Sequence, residues 1–155
     1  MSVAREVLEA GKRNAVMIAT AESCTGGMVS AALTDIAGSS AVVECGFVTY
    51  SNAAKIQMLG VKPETLSAYG AVSEEVAVEM AQGAVTSSGA TLAVSITGIA
   101  GPGGSEHKPE GRVCFATSFK GEVQVETVEF GPRGRHEVRQ AACAHALKLL
   151  LERLS

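Results

Sequence analysis

Residues 91–99 constrain the fold of this chain more than any other segment. They form a nearly continuous apolar run, which favours a β-strand that is buried on both faces. A sheet that contains such a strand needs helices packed against both of its sides. Strand-like runs and segments with helical spacing of apolar residues interleave along the chain. The sequence therefore predicts a three-layer α/β/α sandwich.

Periodicity, β-branched content and turn residues assign the individual elements. Helices are predicted over 2–14, 26–36, 52–59, 74–87 and 135–154, with one helical turn in the connector 62–66. Strands are predicted over 16–20, 42–50, 91–99, 112–119 and 122–130. Residue types alternate along the last two strands on either side of Lys120-Gly121, which is typical of a β-hairpin. Such a hairpin places at least one antiparallel strand in the sheet. We expect a mixed sheet in a single domain spanning 1–155, because this length suits one normal core.

Composition excludes several classes of partner. The formal net charge of −3 provides no basic surface for nucleic acid. No apolar run is long enough to span a bilayer and no signal-peptide pattern is present, so we expect a cytoplasmic protein without a membrane partner. Four widely spaced cysteines form no CxxC, and no helix shows metal-ligand spacing, so neither a metal nor a cofactor is expected. The apolar run 42–48 and the final helix could support a homodimer or could simply belong to the core.

A turn rich in small residues at 19–27 is the first candidate for chemistry. It has the sequence Ala-Thr-Ala-Glu-Ser-Cys-Thr-Gly-Gly and joins a predicted strand to a predicted helix. Backbone N–H groups at such a turn favour an anion or a developing oxyanion, which would suit Ser23 as a nucleophile. Alternatively, Ser23 or Thr25 caps the helix. Cys24 is either a rival nucleophile or a buried structural cysteine.

A serine nucleophile needs a base, and the positions of the three histidines do not resemble a triad. Lys55 could serve if burial lowers its pKa, or it could be an ordinary solvated helix lysine. A loop rich in glycine and proline at 98–111 could form a backbone nest for a phosphate or carboxylate. An arginine cluster at the start of the final helix could bind a phosphate or could be a solvated surface group. Its members are Arg133, Arg135 and Arg139.

Four segments carry a resemblance to a known family. They are AESCTGG at 21–27, GFVTYSNAAK at 46–55, GAVSE at 70–74 and VSITGIAGP at 94–102. In this order they resemble the CinA C-terminal domains, which are nicotinamide-nucleotide amidases. The resemblance extends from about residue 5 to residue 154. It implies a three-layer α/β/α fold and a metal-free hydrolysis. The implied substrate is nicotinamide mononucleotide, whose carboxamide is converted to a carboxylate with release of ammonia in pyridine nucleotide recycling.

The resemblance also implies roles for particular residues. Ser23 would be the nucleophile, Lys55 its general base and Tyr50 a third member of the site. Backbone N–H groups of Thr25, Gly26 and Gly27 are the candidate oxyanion hole. The substrate phosphate would be bound by two arginines and by the glycine-rich loop. These residues are Arg135, Arg139, Gly101, Gly103, Gly104 and Ser105.

Some positions depart from the family pattern. Arg133 and Gly134 stand where the family has glycine and aspartate, and Glu110 and Arg112 replace smaller or apolar residues in a loop one residue shorter than usual. A second hypothesis is therefore a non-catalytic nucleotide-binding or regulatory module that retains the pocket. A third is a hydrolase of another small amide. Many relatives carry an additional N-terminal domain with pyrophosphatase activity, which we do not expect here.

Overall fold

A computed structural model describes all residues, 1–155, as a five-stranded sheet between two layers of helices. The first half of the chain contains α1 (Val3–Arg13), β1 (Ile18–Glu22), α2 (Met28–Thr34), a 3-10 turn (Ser39–Ala41), β2 (Val43–Val48) and α3 (Asn52–Leu59). The second half contains α4 (Pro63–Tyr69), α5 (Glu74–Ser88), β3 (Leu92–Gly98), β4 (Arg112–Phe119), β5 (Glu122–Glu129) and α6 (Arg135–Leu154).

The sheet has the order β2-β1-β3-β4-β5. β1 pairs in parallel with both β2 and β3, whereas β3–β4 and β4–β5 are antiparallel. The large apolar cluster joins α1, α2 and α6 to one face of the sheet, and smaller clusters join α3, α4 and α5 to the other. This arrangement confirms the predicted three-layer sandwich with a mixed sheet. β3 is buried along its length up to Gly98, as the run 91–99 predicted.

Local sequence signals account for several element ends. The Ser51 hydroxyl accepts the Ala54 N–H at the start of α3, and the Ser73 hydroxyl accepts the Val76 N–H at the start of α5. Lys120 and Gly121 have φ angles of 53° and 78°, as a two-residue hairpin turn requires.

None of the six helices combines the length and apolarity needed to cross a bilayer.

The segment around the first turn differs from the prediction. β1 runs over Ile18–Glu22 rather than 16–20, and α2 begins at Met28 rather than at residue 26. The strand extends further because its polar residues are fully buried, with the Thr20 hydroxyl bonded to that of Ser30 and the Glu22 carboxylate bonded to the following turn. Smaller differences are that β2 ends at Val48 and that the connector 62–66 continues into a two-turn helix, α4, which begins at Pro63 and ends at Tyr69.

Candidate active site

A cavity of about 360 Å³ lies where β1 and β3 end, beside the start of α3 and the loop 98–111. Most of the residues predicted for the site line it. They are Ser23, Tyr50, Lys55, Gly101, Gly103, Gly104, Ser105 and Arg135. A wider groove of about 890 Å³ lies between α3 and α5, but its ionisable side chains all reach solvent and no nucleophile–base pair is present there. The smaller cavity, which Ser23 and Lys55 line, is therefore the candidate active site.

Ser23 and Lys55 are brought together at the floor of this cavity. The Lys55 Nζ lies 3.1 Å from the Ser23 Oγ and donates to the backbone oxygen of Thr49 at 3.0 Å. Ser23 follows the last residue of β1, and Lys55 lies in the first turn of α3. The lysine side chain is only 1% exposed, so the interpretation of Lys55 as a solvated helix lysine was wrong.

Burial sets the protonation preferences of two neighbouring groups. Desolvation lowers the pKa of Lys55 below its ordinary value, and the nearby Cys24 and Glu106 oppose this effect. A lowered pKa favours the neutral amine that a general base requires. Burial also raises the pKa of the Cys24 thiol to about 12, so that thiol stays protonated at neutral pH. Cys24 therefore fits the structural interpretation, and Ser23, whose hydroxyl lies within hydrogen-bond distance of Lys55, remains the candidate nucleophile.

Tyr50 and Arg135 form part of the rim of the cavity. The Tyr50 side chain is 61% exposed, and its hydroxyl accepts a hydrogen bond from Arg135 Nη2 at 2.7 Å. Arg135 Nη1 donates to the Gly101 oxygen, also at 2.7 Å. Lys55 approaches only the backbone oxygen of Tyr50, at 3.5 Å. Arg135 thus joins the segment before α3 to the glycine-rich loop.

The turn after β1 corrects the predicted oxyanion hole. The Gly26 N–H donates to the backbone carbonyl oxygen of Ser23 at 3.1 Å, and the Gly27 N–H donates to Glu22 Oε1 at 3.2 Å. These two N–H groups are therefore engaged within the turn. The N–H groups of Cys24 and Thr25 make no hydrogen bond to another residue. They remain as the candidate donors beside Ser23.

The predicted helix cap is also wrong. Gly27 occupies the N-cap position of α2 with φ of 104°, and no side chain there provides a cap bond. The carboxylate of Glu22 accepts the N–H groups of Val29 and Ser30 instead, at 3.0 and 3.1 Å. Sequence analysis missed Glu22, although an acidic residue just before a predicted helix start is the available signal.

Arg139 corrects the predicted phosphate site. Its Nε donates to the Cys24 oxygen at 3.0 Å and its Nη2 approaches the Thr25 oxygen at 3.4 Å. Its side chain is not part of the cavity wall. Arg139 lies one helical turn beyond Arg135 along α6, which places it against the Ser23 turn rather than against the open end of the cavity.

Side-chain hydrogen bonds hold the glycine-rich loop in place. Glu110 accepts the Gly103 N–H at 2.7 Å and the Gly134 N–H at 2.9 Å, which joins the loop to the start of α6. Lys108 Nζ donates to the Tyr69 oxygen at 2.6 Å, which joins the loop to α4. The N–H groups of Gly101 and Gly104 make no hydrogen bond and are available to an anion at the cavity wall.

The histidines lie outside this site. His107 and His136 are exposed, and His145 pairs with Glu126 on the far part of α6. No group of three or more His, Cys, Asp or Glu side chains is arranged to hold a metal ion. The chemistry available in the cavity is therefore a serine hydroxyl beside a buried amine, with backbone donors around both.

Known proteins resemble this chain along almost its whole length. The profile of the CinA C-terminal domain matches residues 1–154. The chain is 52% identical over 151 residues to the nicotinamide-nucleotide amidohydrolase PncC of Escherichia coli strain K12, covering 97% of this chain and 92% of that protein.

Solved structures show the same fold. The competence/damage inducible protein CihA of Agrobacterium tumefaciens has a TM-score of 0.94 and 50% identity, covering 97% of this chain and 92% of that chain. A CinA superfamily protein of Klebsiella pneumoniae has a TM-score of 0.95 and 38% identity, covering 98% of this chain and 95% of that chain.

Proposed function

The chain belongs to the CinA C-terminal domain family, and from this premise we propose that it hydrolyses the carboxamide of nicotinamide mononucleotide. The products would be nicotinate mononucleotide and ammonia, and the reaction would pass through an acyl-enzyme on Ser23. The amidohydrolase activity named for the Escherichia coli relative supports the substrate. The observation that carries the mechanism is the 3.1 Å approach of the buried Lys55 amine to the Ser23 hydroxyl.

The first half-reaction forms the acyl-enzyme. Neutral Lys55 takes the proton of the Ser23 hydroxyl while the Oγ attacks the carboxamide carbon. The carbonyl oxygen becomes an oxyanion, which the N–H groups of Cys24 and Thr25 stabilise. The tetrahedral intermediate then collapses, the carbon–nitrogen bond breaks, and Lys55 returns its proton to the departing ammonia. A nicotinate ester of Ser23 remains.

The second half-reaction regenerates the enzyme. Water attacks the ester carbon while Lys55 takes one of its protons. The ester bond breaks, the Ser23 oxygen regains a proton from Lys55, and the carboxylic acid product loses its remaining proton to solvent and leaves as the carboxylate. Lys55 must therefore be neutral at the start of each half-reaction, which the burial-lowered pKa of its amine favours.

The phosphate of the substrate would bind at the open end of the cavity. Arg135 lies there, and Gly101 and Gly104, whose N–H groups make no hydrogen bond, line the same cavity. A guanidinium and backbone amides are a suitable combination for a phosphate monoester. Gly103 and Ser105 complete this part of the wall, although the Gly103 N–H is already bonded to Glu110.

Ammonia release tests the proposal. The wild-type protein should release ammonia from the mononucleotide faster than from nicotinamide riboside or free nicotinamide, because only the mononucleotide offers a phosphate. Ser23→Ala and Lys55→Ala should each abolish the release, whereas Lys148→Ala, which changes an exposed lysine of α6, should not alter it. Undiminished turnover in both site variants would overturn the mechanism. Mononucleotide binding without ammonia release by the wild type would support the non-catalytic module instead.

A further inference from the structure

The turn that carries Ser23 is held on one side by a fully buried carboxylate. Glu22 is 0% exposed, and all of its side-chain hydrogen bonds come from the turn and the first residues of α2. Its Oε1 accepts from the Thr25 hydroxyl at 2.6 Å, the Gly27 N–H at 3.2 Å and the Val29 N–H at 3.0 Å, and its Oε2 accepts from the Ser30 N–H at 3.1 Å. A carboxylate with this many donors compensates for much of its lost hydration.

The same turn is held on its other side by Arg139. This guanidinium donates to the carbonyl oxygen of Cys24 and approaches that of Thr25. Glu22 therefore accepts hydrogen bonds from donors of the turn, and Arg139 donates hydrogen bonds to carbonyl oxygens of the turn. The two side chains come from β1 and α6, so the conformation of the turn depends on the packing of the whole fold rather than on the turn sequence alone.

These contacts determine where the unused N–H groups point. In a trans peptide the N–H and C=O groups point in opposite directions. The Ser23 carbonyl is fixed by the Gly26 N–H, which directs the Cys24 N–H to the opposite side. The Cys24 carbonyl is fixed by Arg139, which directs the Thr25 N–H away from α6.

We propose that Glu22 and Arg139 are positioning residues that hold the Ser23 turn with the Cys24 and Thr25 N–H groups directed at the developing oxyanion. This inference rests on the proposed function, since it assigns the part of the structure that orients the donors for that reaction. It also gives Arg139 a role different from the phosphate ligand that its position in the sequence indicated. Neither side chain touches the substrate, so both would act through the turn.

A comparison of Arg139 with Arg135 separates the two roles. Arg139→Ala should lower kcat at least about tenfold, because misplacing an oxyanion donor costs up to about 10²–10³ in rate. The loss should be equal for the mononucleotide and the riboside, with KM little changed. Arg135→Ala should instead raise KM for the mononucleotide and leave the riboside unaffected. Arg133→Ala serves as the matched control, because Arg133 is exposed and lies outside the cavity.

Added guanidinium provides a readout that a merely structural role would not give. Millimolar guanidinium should restore part of the kcat of Arg139→Ala by occupying the vacated position against the carbonyl oxygens. It should not change the kcat of Arg133→Ala, because the Arg133 guanidinium lies over the Phe130 ring and makes no contact with the Ser23 turn. A rise in KM confined to the mononucleotide in Arg139→Ala would overturn the proposal and make Arg139 a phosphate ligand.

Glu22→Gln tests the other side of the turn. The glutamine retains one oxygen for three of the donors but sets an NH₂ group against the Ser30 N–H. We expect at least a tenfold lower kcat with nearly unchanged KM, while Glu137→Gln, an exposed change in α6, has no effect. Thermal melting confirms that each variant is folded, and Arg139→Lys is the milder alternative if one is not. An unchanged kcat in folded Glu22→Gln and Arg139→Ala would refute the proposal.

A fluorophosphonate probe keeps this test independent of the natural substrate. In the labelling reaction the Ser23 Oγ–phosphorus bond forms, the phosphorus–fluorine bond breaks, fluoride leaves and Lys55 takes the serine proton. The phosphonyl oxygen occupies the oxyanion position, so both positioning variants should label at least about tenfold more slowly than the wild type. If no amide releases ammonia, the proposed function fails. Equal labelling rates would then refute the positioning role separately.

Discussion

Replacing Lys55 with methionine tests whether the buried amine is neutral when the protein needs a base. Methionine has a similar length and an apolar end, so it fills the same buried space without an ionisable group. The Lys55 side chain is 1% exposed and its pKa is lowered by burial. The unfolded chain exposes the same amine to water, where its pKa is near the ordinary value of 10.5.

The sign of the effect follows from proton linkage. Below the lowered pKa of the folded protein, Lys55 is charged in both states, and burial of the ammonium group opposes folding. Between that pKa and 10.5, the folded protein has lost a proton that the unfolded chain retains. The free energy of unfolding of the wild type therefore rises with pH, by about 1.4 kcal/mol per pH unit across this window. Lys55→Met lacks this contribution.

The quantity to measure is the difference in free energy of unfolding between Lys55→Met and the wild type. It should be constant at low pH and then change in favour of the wild type by up to about 1.4 kcal/mol per pH unit. The lost hydrogen bond to the Thr49 oxygen shifts the whole curve by about 1 kcal/mol without changing this slope. Other ionisable groups largely cancel, because both proteins share them.

Urea unfolding followed by circular dichroism, from about pH 6 to about pH 9, provides the measurement. Lys148→Met is the control, because Lys148 is exposed on α6 and should give a curve parallel to that of the wild type. Parallel curves for Lys55→Met and the wild type across this range would refute the reasoning. They would mean that Lys55 stays protonated in the folded protein and is not available as a base.

Three further predictions concern the rate and the loop. The kcat/KM of the wild type should rise with pH through the lowered pKa of Lys55 and level off before pH 10.5; a fall with rising pH over that range would exclude a neutral amine base. Tyr50→Phe should raise KM for the mononucleotide more than it lowers kcat, because the hydroxyl only accepts a bond from Arg135, and steady-state kinetics would show the reverse if it were a proton donor. Glu110→Ala should accelerate amide hydrogen exchange across 103–108, because the carboxylate fixes the Gly103 N–H. Exchange in α6 beyond its first turn should not increase, and unchanged exchange in the loop would show that other contacts hold it.

The fold was predictable because its signals are local. The apolar run of β3, the Lys120-Gly121 turn and the Ser73 cap each lie within a few residues of the feature they determine. α6 begins and ends where the periodicity indicated. The predicted boundaries of β1 were wrong because the contacts that decide them are not local. Glu22 is a polar residue in a fully buried strand, and only its contacts with the next segment make that position favourable.

The site was predictable only in part, for a related reason. Ser23 and Lys55 could be named from the sequence, but their proximity results from β1 and α3 meeting at one edge of the sheet. Arg139 was assigned to the phosphate from its place in an arginine cluster and from the family resemblance, and neither of these distinguishes its surroundings from those of Arg135. Its partner Cys24 is 115 residues away in the sequence. No local pattern records a contact at that separation.

The one buried polar side-chain atom that lacks a hydrogen-bond partner lies in a residue that contacts Lys55. Several buried polar side chains away from Lys55 are satisfied, as the bonds of Glu22, Ser95 and Thr97 show. The one buried side-chain polar atom without a partner is Thr49 Oγ1, in the residue whose backbone oxygen accepts from Lys55. This unpaired hydroxyl therefore belongs to a residue in contact with the amine whose neutral form the proposed reaction needs. A carboxylate paired with Lys55 would favour its charged form and remove the proposed base, so the proposed chemistry requires hydrogen-bond partners that are neutral, as Ser23 and the Thr49 carbonyl are.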